Sequence, residues 1–383
     1  MNGIDQGQRR QLDTARRRQP DGRSMPEVSI IVPVYDVEAY LGECLDSILS
    51  QDFTDFELVA VDDCSNDGSG AILRRYAATE RRIRIVELPE NAGLGGARNA
   101  GLDHANGKYV WFIDSDDTIV PGALRALVDR VHDTQAELVL CGWTRDFQDQ
   151  RRPGSGEAIL AAAPRLFTIA DYPKALRILQ VAWNKLICRD LLDRSGLRFV
   201  SGWYEDTPFT YPLLAAARSI TALPDALVRY RQRPGAITKT GSERQMDVLS
   251  QWERAMGLVG EMHADSATIK AELFPVMLNH CARILLNSKR IPRPLQQEYV
   301  RRLRALYRHH YPDRPYPSLG RQQAVLHRLI ALGWLPLLQL HWRAQSIWRR
   351  HIRPHLRALD RPRDRQRALA QPRRCNPVGV TRS

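Results

Sequence analysis

Asp114-Ser115-Asp116-Asp117 directly follows the apolar run Tyr109–Ile113. Carboxylates two residues apart at the end of a strand can share a hard divalent cation, Mg²⁺ or Mn²⁺, and leave positions open for phosphate oxygens. The same four residues can instead be an acidic turn that caps a helix opened by Pro121. A second pair, Asp62-Asp63, ends another apolar run and is followed by Cys64-Ser65-Asn66-Asp67-Gly68. Those residues are good turn formers, so this is either a plain turn or a carboxylate acceptor for a base or ribose edge. Clustering so many carboxylates without a cation costs on the order of several kcal/mol, which favours the cation reading.

Asn91 to Gly101 (NAGLGGARNAG) is a glycine-rich stretch entering a helix. Arg98 stands where a dinucleotide fingerprint wants its last glycine, and the chain contains no G-x-x-x-x-G-K-[ST]. Backbone amides and Arg98 at a helix start can meet a diphosphate. The alternatives are a flexible connection, or an Arg98 that only pairs with a carboxylate of the cluster.

The elements that position these groups follow from hydrophobic period. Val28–Tyr35 is a β-branched run and reads as a buried strand, and Tyr40–Ser50 places Leu41, Leu45, Ile48 and Leu49 at helical spacing. Strands are expected at Glu57–Val61, Arg82–Leu88, Tyr109–Ile113 and Leu138–Gly142. Helices are expected around Ile72, Leu73 and Tyr76, over Ala97–Ala105 and over Pro121–His132. The alternation implies an α/β fold with a doubly wound, mostly parallel sheet, whose ligands bind beyond the carboxyl ends of the strands. An aromatic ring from Pro33-Val34-Tyr35-Asp36 and the two carboxylate groups then converge on one edge. From about 150 to 240 the pattern is less regular, with short helices near Ala175–Leu179 and Leu191. A helical period returns from Gln245 to about 310.

The chain has 383 residues and a net charge of +13. Residues 341–383 hold twelve Arg against two Asp, or +10, and residues 1–27 hold six Arg against four acidic groups, or +2. The body is therefore nearly neutral, and no nucleic-acid partner is expected. Residues 1–27 read as a disordered leader, 28–142 as one half of the main domain, 143–240 as a second half, 241–340 as a helical extension and 341–383 as a basic tail. The six cysteines lack ligand-like spacing, so neither a disulfide framework nor a structural zinc site is expected, and a reducing, cytoplasmic setting fits them. Leu329–Leu340 is too short to span a bilayer. With Trp334, Trp342 and Trp348 and the arginines that follow, it has the make-up of a segment lying on an anionic membrane surface at the inner face of the cell membrane; packing on the main domain and a solubilising tail are the alternatives.

Three motifs, VSIIVPVYDVEAYLGECLDSILSQ (28–51), ELVAVDDCSNDGS (57–69) and ENAGLGGARNAGLDHANGKYVWFIDSDD (90–117), resemble in order and spacing the nucleotide-sugar domain of the family-2 glycosyltransferases. Trp183-Asn184-Lys185-Leu186, Trp203–Phe209 and Tyr230–Thr238 are similar to acceptor-side segments of bacterial members that build surface polysaccharides, so the likeness covers about residues 28–240. It implies a GT-A-like fold and an inverting transfer from a nucleoside-diphosphate sugar to a glycan or lipid-linked acceptor. Pro33, Tyr35 and Glu38 would surround the base, Asp63 would accept from base or ribose, and Arg98 would lie near the diphosphate. Asp114 and Asp116 match the DXD positions, with Asp116 the first choice for metal contact, then Asp117. Glu205-Asp206 matches the pair whose aspartate is the general base. Lys185 or Arg98 would assist the leaving group. The aromatic residues around Asp206 either raise its pKa and face a sugar ring or are ordinary core. A sugar nucleotidyltransferase is the runner-up, but it wants a glycine-rich basic loop after the first strand, which Pro33–Glu38 does not supply.

Overall fold

The structure, a computed structural model, describes residues 25–147, 150–233, 241–263, 265–287, 290–312 and 321–340. Nearly all of the leader, the basic tail at 341–383 and residues 234–238 of the acceptor-side segment lie outside the described residues.

The first half alternates strand and helix: β1 (Val28–Val34), α1 (Glu38–Leu49), β2 (Phe56–Asp62), α2 (Ser69–Ala77), β3 (Ile83–Glu87), α3 (Gly93–His104) and β4 (Tyr109–Phe112). The four strands pair in parallel in the order β3-β2-β1-β4. Successive strand residues point to opposite faces, and the apolar residues are sorted accordingly. Ile30, Val32 and Val34 join Leu41, Leu45 and Ile48 of α1 in the main core. On the other face, Gly101 of α3 lies so close to Ile31 and Val61 that a Cβ there would come within 2.3 Å of the isoleucine. Helices therefore cover both faces, and every residue of β1 is buried.

The chain runs outward from β1 to β2 and β3, then returns to lay β4 on the other side of β1. Strand order reverses between β1 and β4, which is where an open α/β sheet leaves a crevice.

The second half is mixed rather than parallel. It comprises β5 (Thr118–Ile119), α4 (Ala123–Thr134), β6 (Leu138–Phe147), β7 (Gln150–Pro153), α5 (Glu157–Ala161), β8 (Lys185–Cys188), α6 (Arg189–Ser195), α7 (Thr207–Ala216) and β9 (Ile220–Arg231). Antiparallel β8 sits between β4 and β6, and β9 runs parallel to β6 with register shifts around Gly142. Pro224 and Asp225 fall at that irregularity, and a proline there hid a twelve-residue strand from a reading by period. β6 likewise runs five residues past Gly142.

Among the described residues four α-helices follow: α8 (Asp247–Met262), α9 (Ser266–Leu286), α10 (Gln296–His309) and α11 (Arg321–Leu332). Tyr211 of α7 packs on Trp252 of α8 with ring centroids 4.7 Å apart. Trp252 Nε1 donates to His280 Nδ1 of α9 at 3.1 Å, and Tyr299 of α10 donates to the Cys281 carbonyl at 2.9 Å. Residues through Gly333 form one compact unit, and a second begins at Trp334. No described helix is long and apolar enough to cross a membrane.

Candidate active site

The carboxyl ends of β2, β1 and β4 lie side by side, so Asp62-Asp63, Tyr35-Asp36 and Asp114–Asp117 share one edge. The chain leaves β1 and β2 through non-glycine residues in the left-handed region, Asp36 (φ 46°) and Cys64 (φ 62°). Such backbone costs on the order of 1 kcal/mol or more and persists where surrounding bonds enforce it. Here Asn66 N–H donates to Asp36 Oδ1 at 2.8 Å, Gly68 N–H to Glu38 Oε2 at 2.6 Å, and Glu38 N–H to Asp67 Oδ2 at 2.9 Å. Glu38 thus laces the turn after β1 to the turn after β2. Tyr35, 46% exposed, stands beside this lacing, and Pro33 lies within β1 opposite Val61.

Asp63 is buried, and its Oδ1 accepts from Ala92 N–H at 2.6 Å, just before α3. Burial raises its pKa, while the amides of Ala92 and Gly93 pull the other way. The expected glycine-rich loop is mostly helix, since α3 starts at Gly93 rather than Ala97. Gly95 has a packing reason: a Cβ there would lie 2.5 Å from the Val200 carbonyl oxygen.

Arg98 is 1% exposed. Its Nη2 donates to Asp114 Oδ1 at 2.7 Å, and its Nη1 to Glu205 Oε1 at 2.8 Å and Asp206 Oδ1 at 2.9 Å. Its guanidinium carbon lies 5.2 Å from the centre of the Phe199 ring. Of the two alternatives for Arg98, diphosphate contact or pairing with the cluster, the side chain occupies the second. One cation thereby joins the DXD turn to the Glu205-Asp206 turn, more than a hundred residues away. Glu205 is pushed up to about 7, first by burial and then by the charge of Asp206. Burial also raises Asp206, with Arg98 opposing. Lys185 is fully buried, and its Nζ donates to the Val181 carbonyl at 2.8 Å and Asn184 Oδ1 at 2.7 Å. Burial drops its pKa to about 7 against the pull of Asp206.

The turn before α7 is shaped from outside. Gly202 (φ 95°) and Tyr204 (φ 64°) are left-handed. Trp203 N–H donates to Asp247 Oδ2 at 3.0 Å and Gln251 Nε2 to the Ser201 carbonyl at 3.0 Å, both from α8, while the Tyr204 hydroxyl donates to Gln245 Oε1. Phe209 stacks on Phe199 at 3.9 Å with Phe112 edge-on, so that ring is core. Trp203 and Tyr204 are only half-buried.

Asp116 and Asp117 meet two arginines that were not singled out from sequence. Arg233 Nε donates to Asp116 Oδ2 at 2.6 Å, Arg231 Nε to the Asp116 carbonyl at 2.8 Å, and Arg231 N–H to Asp117 Oδ1 at 2.8 Å. Both guanidinium groups approach the Tyr40 ring, at 5.2 and 5.6 Å. The available signal was basic residues alternating just past an apolar strand, in a segment already quoted for its likeness. Asp117 is fully buried, its Oδ2 has no hydrogen-bond partner, and burial with the charges of Asp116 and Asp114 drives its pKa far up. Burial and Asp114 also raise Asp116. Hard oxygen donors crowded under mutual repulsion fit a divalent cation, which is commonly held by one or two carboxylates plus substrate phosphates.

The model of the glycosyl transferase family 2 matches residues 29–196. These residues are a family-2 glycosyltransferase domain. The chain is 33% identical over 228 residues to the glycosyltransferase EpsJ of Bacillus subtilis (strain 168), covering 58% of this chain and 66% of that one. It is 35% identical over 223 residues to the succinoglycan biosynthesis protein ExoO of Rhizobium meliloti (strain 1021), covering 56% and 63%. The alignments thus span just under two thirds of these relatives' own lengths. Residues 1–349 of S. aureus TarS, solved with UDP-GlcNAc, superpose with a TM-score of 0.69 at 21% identity over 84% of this chain and 91% of that one. That likeness supports a GT-A fold for the transferase domain together with the helices that follow it.

Proposed function

We propose that the chain transfers a sugar, with inversion, from a nucleoside-diphosphate sugar to a hydroxyl of a glycan or lipid-linked acceptor in cell-surface polysaccharide synthesis. The observation that carries this is the Arg98 junction, which holds Asp114 on the donor edge and Glu205-Asp206 on the acceptor side within one hydrogen-bonded group. The printed roles of the relatives support the rest: ExoO in succinoglycan biosynthesis for the polysaccharide product, and UDP-GlcNAc on TarS for the class of donor.

The transfer is a single displacement. The acceptor oxygen bonds to the anomeric carbon as the bond to the diphosphate oxygen breaks, and Asp206 takes the hydroxyl proton. Arg98 aims that carboxylate, and its burial removes competing water from the aim. Burial and the charge of Asp114 raise the Asp206 pKa, which favours proton capture. Asp116 and Asp114, with Asp117 beneath them, would hold Mg²⁺ or Mn²⁺, which when bound offsets the charge developing on the diphosphate. Tyr35, Pro33 and Asp63 would line the base and ribose, with Glu38 holding the turn that presents them. Twelve arginines in residues 341–383 would keep the enzyme at an anionic membrane where a lipid-linked acceptor resides.

The test is a screen of nucleotide sugars for Mn²⁺- or Mg²⁺-dependent release of nucleoside diphosphate, with Asp116→Ala and Asp206→Asn as controls. Both variants should lose at least about a hundredfold in kcat. Full activity in Asp116→Ala, or no turnover of any donor with any acceptor extract, would sink this reading.

A further inference from the structure

Outside the transferase site, one group of side chains among the described residues brings three metal-ligating atoms together: Glu253 of α8, His309 at the end of α10 and His310 just after it. All three donor atoms lie within 4.8 Å of one another. His309 Nε2 is 3.5 Å from Glu253 Oε1, and His310 Nε2 is 3.2 Å from Glu253 Oε2. Zn–N and Zn–O bonds of about 2.0–2.2 Å at tetrahedral angles put neighbouring ligands roughly 3.3–3.5 Å apart, so these separations already approximate two edges of such a site.

The second observation concerns His310. Its side chain is 8% exposed, and its Nε2 faces the Glu253 carboxylate at 3.2 Å. A largely buried imidazole, a second imidazole and a carboxylate whose donor atoms converge within 4.8 Å form a donor set that one metal ion can bind. The rings of His309 and His310 meet edge to face with centroids 4.6 Å apart, which points their nitrogens toward the glutamate from two sides.

We propose that Glu253, His309 and His310 form a second metal site, separate from the transferase carboxylates, that takes a transition-metal dication with Zn²⁺ as the best fit. Two imidazoles and one carboxylate suit zinc, whereas Mg²⁺ and Mn²⁺ prefer the all-oxygen donors of Asp114–Asp117. A fourth position stays open to water. No cysteine takes part, which is why the cysteine spacing gave no hint of it. Lys270 of α9 bears on His310 through its positive charge, which opposes cation binding there. The metal would tie α8 to the end of α10. Because α8 also holds the turn carrying Glu205-Asp206 through Asp247 and Gln251, occupancy would stiffen the scaffold behind that turn.

The experiment uses the full chain, freed of metal by chelator and dialysed against Zn²⁺ or Co²⁺ in the presence of millimolar Mg²⁺ to occupy the carboxylates. One Zn²⁺ should bind per chain and raise Tm by about 3–6 °C, and Co²⁺ should give the visible bands of a four-coordinate N/O site. His309→Ala, on a side chain 70% exposed, should abolish the Tm shift and the bands and leave Tm without zinc unchanged. Glu253→Gln should weaken binding at least tenfold. Zinc binding that survives both substitutions, or no binding below 100 µM, would overturn the proposal. Loss of donor turnover in the Asp116 and Asp206 variants leaves these readouts untouched, so the two claims fail separately.

Discussion

Two acidic turns face each other across the site and are neutralised in opposite ways. Asp116 and Asp117 receive two arginines, Arg231 and Arg233, whose side chains are about a quarter to a third exposed. Asp114, Glu205 and Asp206 share one ion-pairing arginine, Arg98, and that guanidinium is buried. In the first turn Asp117 is buried, but the arginines beside Asp116 are partly exposed, which makes it an adjustable corner where a cation and a diphosphate can replace arginine contacts at little cost. The second is a fixed, under-compensated knot in which burial, and then neighbouring negative charge, raises the pKa values of Glu205 and Asp206. The transfer proposed here needs both, a donor corner that exchanges ligands and a base that does not move.

The largest effect expected from this contrast is at Arg98. Arg98→Met leaves three carboxylates facing one another in a buried pocket, and breaking a buried ion pair from one side costs about 3–5 kcal/mol. The urea midpoint should drop accordingly, and Arg98→Lys should recover part of it without restoring the bidentate aim. A loss under 1 kcal/mol would mean that the knot is not held by charge.

Arg233→Ala probes the open corner. Its salt bridge with Asp116 is partly solvated, so stability should change by less than about 1 kcal/mol. Removing the competing cation should lower the Mn²⁺ concentration for half-maximal activity by about two- to fivefold, an effect measured by metal titration of turnover. An unchanged metal titration would detach Asp116 from the cation.

Asp247→Ala tests whether the knot is aimed from α8. It removes the acceptor for Trp203 N–H, at a cost of about 1 kcal/mol by urea denaturation. Its larger consequence should be a severalfold lower kcat with an unchanged KM for the donor. A donor KM that rises with kcat intact would place the 201–206 turn on the donor side.

The two turns also differ in how far they could be read from the residues. Asp62-Asp63 and Asp114–Asp117 end short apolar runs, and the alternation of strand and helix places parallel strand ends side by side without tertiary detail. Arg98 was legible as a residue but not as a contact, because its partners lie 107 and 108 residues on and nothing local distinguishes a diphosphate-binding arginine from a carboxylate-binding one. β9 was masked by Pro224 at its bulge, and with it the position of Arg231 and Arg233. The aim of the Glu205-Asp206 turn depends on Asp247 and Gln251, and a helical period says which face of α8 is buried but not which polar residue reaches a distant amide.

The smallest effect expected is in pH dependence, and its sign follows from the direction of the shifts. Glu205 rises from an ordinary value of 4.5 to about 7, and Asp206 moves the same way. Between those limits the folded chain holds more protons than the unfolded one, so the pair's contribution to stability falls as pH rises from about 4.5 through 7. The two carboxylates titrate as a unit, so the first proton taken up near neutrality belongs to the pair. The proposed transfer needs that proton absent, so kcat/KM should fall as pH drops below about 7 while stability improves. Asp206→Asn removes the charge that is the second cause of the Glu205 shift, so the stability difference between pH 5 and pH 8 should shrink relative to the unmodified chain. Urea midpoints at the two pH values measure this. If the difference is the same in both proteins, the proton near neutrality sits elsewhere, and the contrast between an adjustable corner and a strained one loses its electrostatic basis.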